Sequence, residues 1–264
     1  MTTTWQLATD GPAAYERNLV PKFFAPCAEL LLDLAEVVGG ERFLDVGCGT
    51  GIVARKAAGR GAKAAGVEPN EGMLAVARQA APEIAWHAAW ADALPRPDSS
   101  YGVVCCQQAL QFVPDRPAAL LEMYRVLVPG GRVALAVWRR PEQNPAFLSL
   151  IDSLERVAGA EAAGIMRRPF SGPGAEDLRA LMAGAGFEDV SLRIGIIAVR
   201  FASTFEFLRA QVESSPLAGP IGALDRDRTD ALIREVDTAL ESYVDDDGVV
   251  YPLQTWLVTA RKPI

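Results

Sequence analysis

Basic residues, histidine and cysteines at metal-binding intervals are all scarce in this sequence. Its 264 residues carry 26 Lys and Arg against 33 Asp and Glu, a formal charge of −7. A surface that coats nucleic acid neutralises phosphates with Lys and Arg, so no nucleic-acid partner is expected. The four cysteines, Cys27, Cys48, Cys105 and Cys106, include no C-x-x-C pair, and His87 is the one histidine. That excludes a disulfide framework and leaves too few soft ligands for zinc, so no metal is expected. Adjacent Cys105 and Cys106 inside an apolar run read as buried small hydrophobes of a reduced compartment. No apolar run approaches the ~18 residues that span a bilayer. The start, Met-Thr-Thr-Thr-Trp, lacks the basic and apolar stretches of a signal peptide. The expectation is a soluble cytoplasmic protein without membrane contact. With 23 Gly and 18 Pro the chain is too poor in both to be fibrous or of low complexity.

Short apolar runs alternate with amphipathic segments from residue 43 onward. Strands are predicted at 43–46, 62–67, 84–89, 101–107 and 132–138, and helices at 52–59, 72–81 and 117–127. Strand and helix alternating at this interval imply a parallel sheet with helices on both faces. After Trp138 the rhythm changes. Breakers Pro141, Pro145, Pro169, Gly172, Pro173 and Gly174 surround one helical stretch at 147–157. A helix at 175–185 ends at Gly186, a C-cap, and strands follow at 190–199 and 253–259. Between these strands, 203–246 reads as helical and acidic, with Asp225, Asp227, Asp230, Glu235 and the run 245–247 forming a solvated face. The organisation is one domain over 1–264, with helices in 1–40, a core at 41–140 and insertions at 141–175 and 203–246.

The strongest local signal is L-D-V-G-C-G-T-G at residues 44–51. Glycines directly after a strand let the backbone approach a ligand where a Cβ would collide. The helix that follows offers free N–H groups and its positive dipole end to a polar or anionic group. A dinucleotide loop is G-x-G-x-x-G, which from Gly47 needs glycine at position 52, where Ile52 stands. The P-loop pattern is also not met. Glu68 ends the next strand, where a carboxylate accepts from two vicinal ribose hydroxyls at once. A structural turn and a surface glutamate are the plainer readings of the same residues.

Four motifs in order, F-L-D-V-G-C-G-T-G, G-V-E-P-N, A-L-P-x-x-D-S-S-Y and L-x-E-M-Y-R-V-L-V-P-G-G-R-V, resemble the class I S-adenosylmethionine-dependent methyltransferases. The likeness is to the small-molecule, type 11-like branch, and covers about 43–138 closely. It implies an α/β, doubly wound, Rossmann-like sheet of seven mostly parallel strands, order 3-2-1-4-5-7-6, the seventh antiparallel, with a helical insertion in the C-terminal half. Residues 253–259 would be that last strand. The implied cofactor is S-adenosylmethionine, leaving as S-adenosylhomocysteine.

Carried over by position, Gly47, Cys48, Gly49, Thr50 and Gly51 would cradle the methionine moiety, with Asp45 orienting its ammonium group. Glu68 and Pro69 would face the ribose, Glu68 taking both hydroxyls, and Met73 would pack on the adenine. Gln107 would face the methionine end. Residues 1–40 would supply lid helices, Tyr15 among them. The family usually places an aspartate where Trp90 stands, accepting from the adenine amino group. Trp90 donates only, which leaves the Ala91 N–H and apolar contacts to hold the adenine, with Asp92 as a substitute acceptor.

The implied chemistry is in-line methyl transfer from a sulfonium to a nucleophilic O, N, C or S, which positioning accelerates. No general base is identified. His87 falls on the wrong side for the methyl group and reads as structural. Gln107, Gln111 and Tyr15 are positioning candidates, since a carboxamide hydrogen-bonds an acceptor but takes no proton from it. Aromatic residues such as Phe23, Phe147 and Phe201, if not core, suit an apolar or aromatic small-molecule acceptor. A fold-sharing protein with non-methyl chemistry, or with a cofactor-binding role only, is the alternative. An RNA or protein methyltransferase fits the acidic composition poorly. Monomer and homodimer are both compatible with the sequence.

Overall fold

A computed structural model describes residues 10–264. The expectations drawn from residues 1–5, and the first part of the proposed lid, lie outside the described residues. In chain order the elements are α1 (Gly11–Asn18), a π-helical turn (Val20–Phe24), α2 (Ala25–Leu34), β1 (Arg42–Val46), α3 (Ile52–Gly59), β2 (Lys63–Glu68) and α4 (Glu71–Ala80). There follow β3 (Ala85–Ala88), β4 (Tyr101–Gln107), α5 (Arg116–Val126), β5 (Leu127–Trp138), α6 (Pro145–Ala158), α7 (Ala160–Arg167) and α8 (Ala175–Gly184). The chain ends with β6 (Glu188–Phe201), α9 (Thr204–Glu213), α10 (Ala218–Gly222), α11 (Arg226–Ala239), β7 (Val244–Asp245) and β8 (Gly248–Arg261).

The strand order is β3-β2-β1-β4-β5-β8-β6, with the two-residue β7 paired to β8 off that path. β1 pairs parallel with β2 and β4, β2 with β3, and β4 with β5. β8 runs antiparallel to β5, Trp138 opposite Thr255. The expected order and the antiparallel last strand are both present.

Two compact units divide the chain. The first takes Phe24–Trp138, Gly172–Gly195 and Thr255–Ile264. Its central strands β1, β4 and β5 are buried on both faces, as parallel strands under helices must be. Side chains alternate between faces. Leu44, Val46, Val104, Cys106, Val133 and Val137 join the core containing α5 and α8, with Met123, Leu178 and Met182. Phe43, Val103, Cys105, Ala134 and Ala136 join the core containing α2 and α3. Adjacent Cys105 and Cys106 thus fill opposite cores. All four thiols are buried and free, and desolvation raises each pKa, Cys106 to about 12.

The second unit takes the described residues up to Phe23, Arg139–Ser171 and Ile196–Gln254. Its centre is aromatic: Phe147 packs edge-on against Phe23, Phe207 and Tyr251 at centroid distances of 5.7–6.1 Å. Two expectations need correction here. Residues 141–175 hold two helices and not one, because Gly159, at φ +92°, turns the chain between α6 and α7. The segment 203–246 is not helical to its end, since Val244 and Asp245 pair with Val249 and Gly248 as a hairpin. Gly248 at φ +113° permits that turn. The acidic residues also do more than face solvent. Asp225 caps α11 by accepting from Arg228 N at 2.8 Å, and Asp245 takes the Arg200 guanidinium bidentately at 2.6 and 2.8 Å. No helix among the described residues is long and apolar enough to cross a membrane.

Candidate functional site

Strand parity places Asp45 on the face of β1 that meets α3. It is 1% exposed, and its Oδ2 accepts from Ala54 N at 3.1 Å in the first turn of α3. Its Oδ1 is buried and without a protein partner. Desolvation pushes the Asp45 carboxyl up to about 7; the Ala54 bond opposes this and the neighbouring Glu68 charge adds to it. A buried carboxylate oxygen of this kind is a strong receptor for a cationic group.

The three glycines of the loop have positive φ, +69° at Gly47, +55° at Gly49 and +88° at Gly51, but they serve different ends. A Cβ on Gly51 would lie 2.3 Å from the Trp86 ring, and one on Gly47 would lie 2.4 Å from Ala109 Cβ. Those two make room for the protein itself. Around a Cβ on Gly49 nothing lies within 4 Å, so that position faces open space.

Trp86 was missed by sequence reasoning. It stands opposite Gly66 in the β2–β3 register, its indole N–H donates to Ala81 O at 2.9 Å, and its ring underlies both Gly66 and Gly51. The available signal was Gly66 in mid-strand, which marks a close approach.

Glu68 holds the loop and the next helix together. Its Oε2 accepts from Gly49 N at 3.1 Å and its Oε1 from Asn70 N at 3.0 Å. Burial raises its pKa while those two bonds oppose the rise. Each oxygen keeps a further lone pair, which is what two vicinal hydroxyls need. Asn70 caps α4 by accepting from Met73 N at 3.1 Å, which fixes half-buried Met73 just beyond Pro69.

Ala89 N donates to Glu68 O at 3.4 Å, so the loop carrying Trp90, Ala91 and Asp92 starts beside the same glutamate. Trp90 is 47% exposed, Asp92 is exposed, and Ala91 is half-buried. Leu94 anchors the far end of the loop, its N donating to Glu122 and its O accepting from Arg125. His87, in mid-β3, has a pKa lowered by burial and then by Arg96 and Arg78.

β4 ends in Gln107, whose Nε2 donates to Phe24 O at 3.1 Å while its buried Oε1 has no protein partner. Thr50 Oγ1 and both amide atoms of Gln111 are likewise buried and unpaired. One unit therefore contains Asp45, the glycine loop, Glu68, Met73, the 90–92 loop, Gln107 and Gln111. Tyr15 lies on α1, in the other unit. Among the described residues no group of three His, Cys, Asp or Glu side chains is arranged to hold a metal. The donor set fits S-adenosylmethionine: an orphaned carboxylate oxygen suited to an ammonium, a glycine with open space, and, at the end of the next strand, a glutamate that accepts from that glycine's N–H and keeps lone pairs for hydroxyls.

The methyltransferase-domain family matches residues 44–135. The demethylmenaquinone methyltransferase of Renibacterium salmoninarum is 31% identical over 204 residues, covering 71% of this chain and 83% of that protein. The ubiquinone biosynthesis O-methyltransferase of Pseudomonas putida W619 is 33% identical over 126 residues, 46% of this chain and 53% of that one, so the shared part is about half its length. The structure of phosphoethanolamine N-methyltransferase 2 from Haemonchus contortus, solved with S-adenosylhomocysteine, superposes with a TM-score of 0.62 at 20% identity, over 96% of this chain and 57% of that one. With four motifs in order, the sheet order and the length of the first likeness, the chain belongs to the class I S-adenosylmethionine-dependent methyltransferases.

Proposed function

We propose that this chain transfers a methyl group to a small apolar or aromatic acceptor of the quinone-ring class that two of its relatives are named for. The observations that carry the cofactor half of the reading are the unpaired, buried Asp45 Oδ1 near the end of β1 and the open space at Gly49 in the loop that follows. Asp45 takes the ammonium group, Glu68 the two ribose hydroxyls, and Met73 with the Ala91 N–H and the Trp90 indole the adenine. The bound cofactor supplies an already activated methyl on a sulfonium, so the protein's work is orientation and exclusion of water. Asp45 holds negative charge where the cofactor is positive and draws a full salt link only when ionised. The end of β4, with Gln107 and Gln111, positions the acceptor without removing its proton. The acceptor's proton therefore leaves to solvent as the methyl group is transferred.

We read the chain as one domain with lid helices in 1–40, a cofactor-binding core at 41–140 and substrate-side insertions at 141–175 and 203–246, with Tyr15 a further positioning candidate. We also read it as cytoplasmic, monomeric or homodimeric, and without a nucleic-acid partner. The test incubates the chain with S-adenosylmethionine and a panel of hydroquinones, phenols, amines and carboxylates, and detects both methylated product and S-adenosylhomocysteine by mass. S-adenosylhomocysteine binding with no methylated product from any hydroquinone or phenol would refute the acceptor class.

A further inference from the structure

The end of β4 and the short turn that follows it carry three buried carboxamides, on Gln107, Gln108 and Gln111. Successive strand residues point to opposite faces, yet Gln107 Nε2 reaches Phe24 O and Gln108 Nε2 reaches both Thr255 Oγ1 at 3.0 Å and Cys27 Sγ at 3.6 Å. Gln108 sits at φ +52°, a left-handed conformation that a residue with a Cβ seldom adopts. That kink swings its side chain to the same side as Gln107. The amide orientations are fixed by chemistry. Phe24 O only accepts, and the Thr255 hydroxyl donates to Val137 O at 2.9 Å, so it accepts from Gln108. Both N–H₂ groups are thereby engaged, and both oxygens, Gln107 Oε1 and Gln108 Oε1, stay buried and unpaired.

Gln111 differs. It is 5% exposed, and neither Nε2 nor Oε1 has a protein partner. Its backbone is held firmly: Arg116 Nη2 donates to Gln111 O and Arg116 Nε to Leu110 O, each at 3.2 Å. The cation on this turn is thus engaged by backbone carbonyls. The carboxylates of Asp45 and Glu68 lie on the neighbouring strand ends. The strand end is rich in hydrogen-bond acceptors, with a single orphaned amide donor, and carries no free positive charge on these residues.

We propose that Gln111 is the residue that reads the acceptor, and that this carboxamide-lined strand end selects a neutral hydroxyl-bearing ring over the corresponding carboxylate. The inference rests on the methyl-transfer reading and adds the acceptor's charge state and the residue that senses it. A hydroxyl donates to Gln111 Oε1 and accepts from its Nε2, satisfying both atoms. A carboxylate satisfies only the N–H₂, and its charge is left beside unpaired oxygens.

The test uses 2-naphthol and 2-naphthoate, which share a ring and differ in the group presented, each titrated by calorimetry into the full chain saturated with S-adenosylhomocysteine. S-adenosylhomocysteine affinity is measured first and separately, so a failure to bind it counts against the methyl-transfer reading and not against this one. Wild type is expected to bind 2-naphthol more tightly than 2-naphthoate. Gln111→Leu is expected to weaken 2-naphthol by about five- to tenfold, the loss of one or two neutral hydrogen bonds, with S-adenosylhomocysteine affinity unchanged. Gln111→Glu, nearly isosteric, gives a second reading: it removes the N–H₂, adds charge, and should abolish 2-naphthoate binding while 2-naphthol still donates to it. Preference for 2-naphthoate in the wild type, or an unchanged naphthol-to-naphthoate ratio in both variants, would overturn the proposal.

Discussion

Replacing Asp45 by asparagine should stabilise the cofactor-free protein while damaging cofactor binding, and the stabilisation should depend on pH. The folded carboxyl titrates at about 7 against an ordinary 3.8. A raised carboxyl pKa means the folded state holds its proton more tightly than the unfolded chain. Its contribution to stability is therefore fully present below pH ~4 and is lost as pH rises toward the folded value. At about 1.4 kcal/mol per pKa unit, the full penalty for ionising Asp45 is on the order of 4 kcal/mol. Roughly 2 kcal/mol of that falls between about pH 5.5 and about pH 8. Asparagine keeps an oxygen for Ala54 N, which now donates to Asp45 Oδ2 at 3.1 Å, and carries no charge to desolvate. The wild-type midpoint should fall on going from about pH 5.5 to about pH 8 by something like 4–8 °C, at ~2–4 °C per kcal/mol for a chain this size. The Asp45→Asn midpoint should stay nearly level across the same change. S-adenosylhomocysteine, by supplying the ammonium, should reduce the pH slope of the wild type and leave that of the variant unaltered. Thermal unfolding followed by circular dichroism, with and without ligand at both pH values, makes the measurement. Parallel pH profiles for the two proteins would refute the buried-charge argument.

Glu68→Gln keeps one oxygen for a backbone N–H, turns an N–H₂ toward the other and removes the charge; it should lower S-adenosylhomocysteine affinity by about 1.5–3 kcal/mol in calorimetry and cost about 1–3 kcal/mol of stability in urea unfolding. Gly51→Ala and Gly49→Ala should separate by mechanism. The first drives a Cβ to 2.3 Å from the Trp86 ring and should cost about 2–4 kcal/mol of stability by urea unfolding. The second has open space and should mainly lower cofactor affinity, beyond the ~1 kcal/mol of its left-handed backbone. Equal destabilisation by both would refute that division. Trp90, half-exposed on the loop tied to Glu68 O, should change its fluorescence on titration with S-adenosylhomocysteine. Trp90→Phe should remove that change while affinity falls by no more than about 1.5 kcal/mol, since the indole holds no acceptor role.

The alternation of apolar runs and helical segments by itself determined the parallel sheet, because each strand buried on both faces must be written in apolar residues and each crossover helix in amphipathic ones. The glycine loop and Glu68 were legible for a similar reason. They are local in sequence, and a strand–turn–helix leaves little freedom in where they stand. What the sequence could not carry was contact between distant segments. That Gly51 makes room for Trp86 while Gly49 leaves open space is decided by which side chain lies under each loop atom, 35 residues away in the first case. The pairing of Gly66 with Trp86 needed the β2–β3 register. The hairpin at 244–249 was hidden because three aspartates read equally well as a solvated helix face, and only pairing with β8 distinguishes them. Asp45 could be placed from the motif, but its raised pKa could not, because that depends on how completely α3 and the sheet exclude water from its second oxygen.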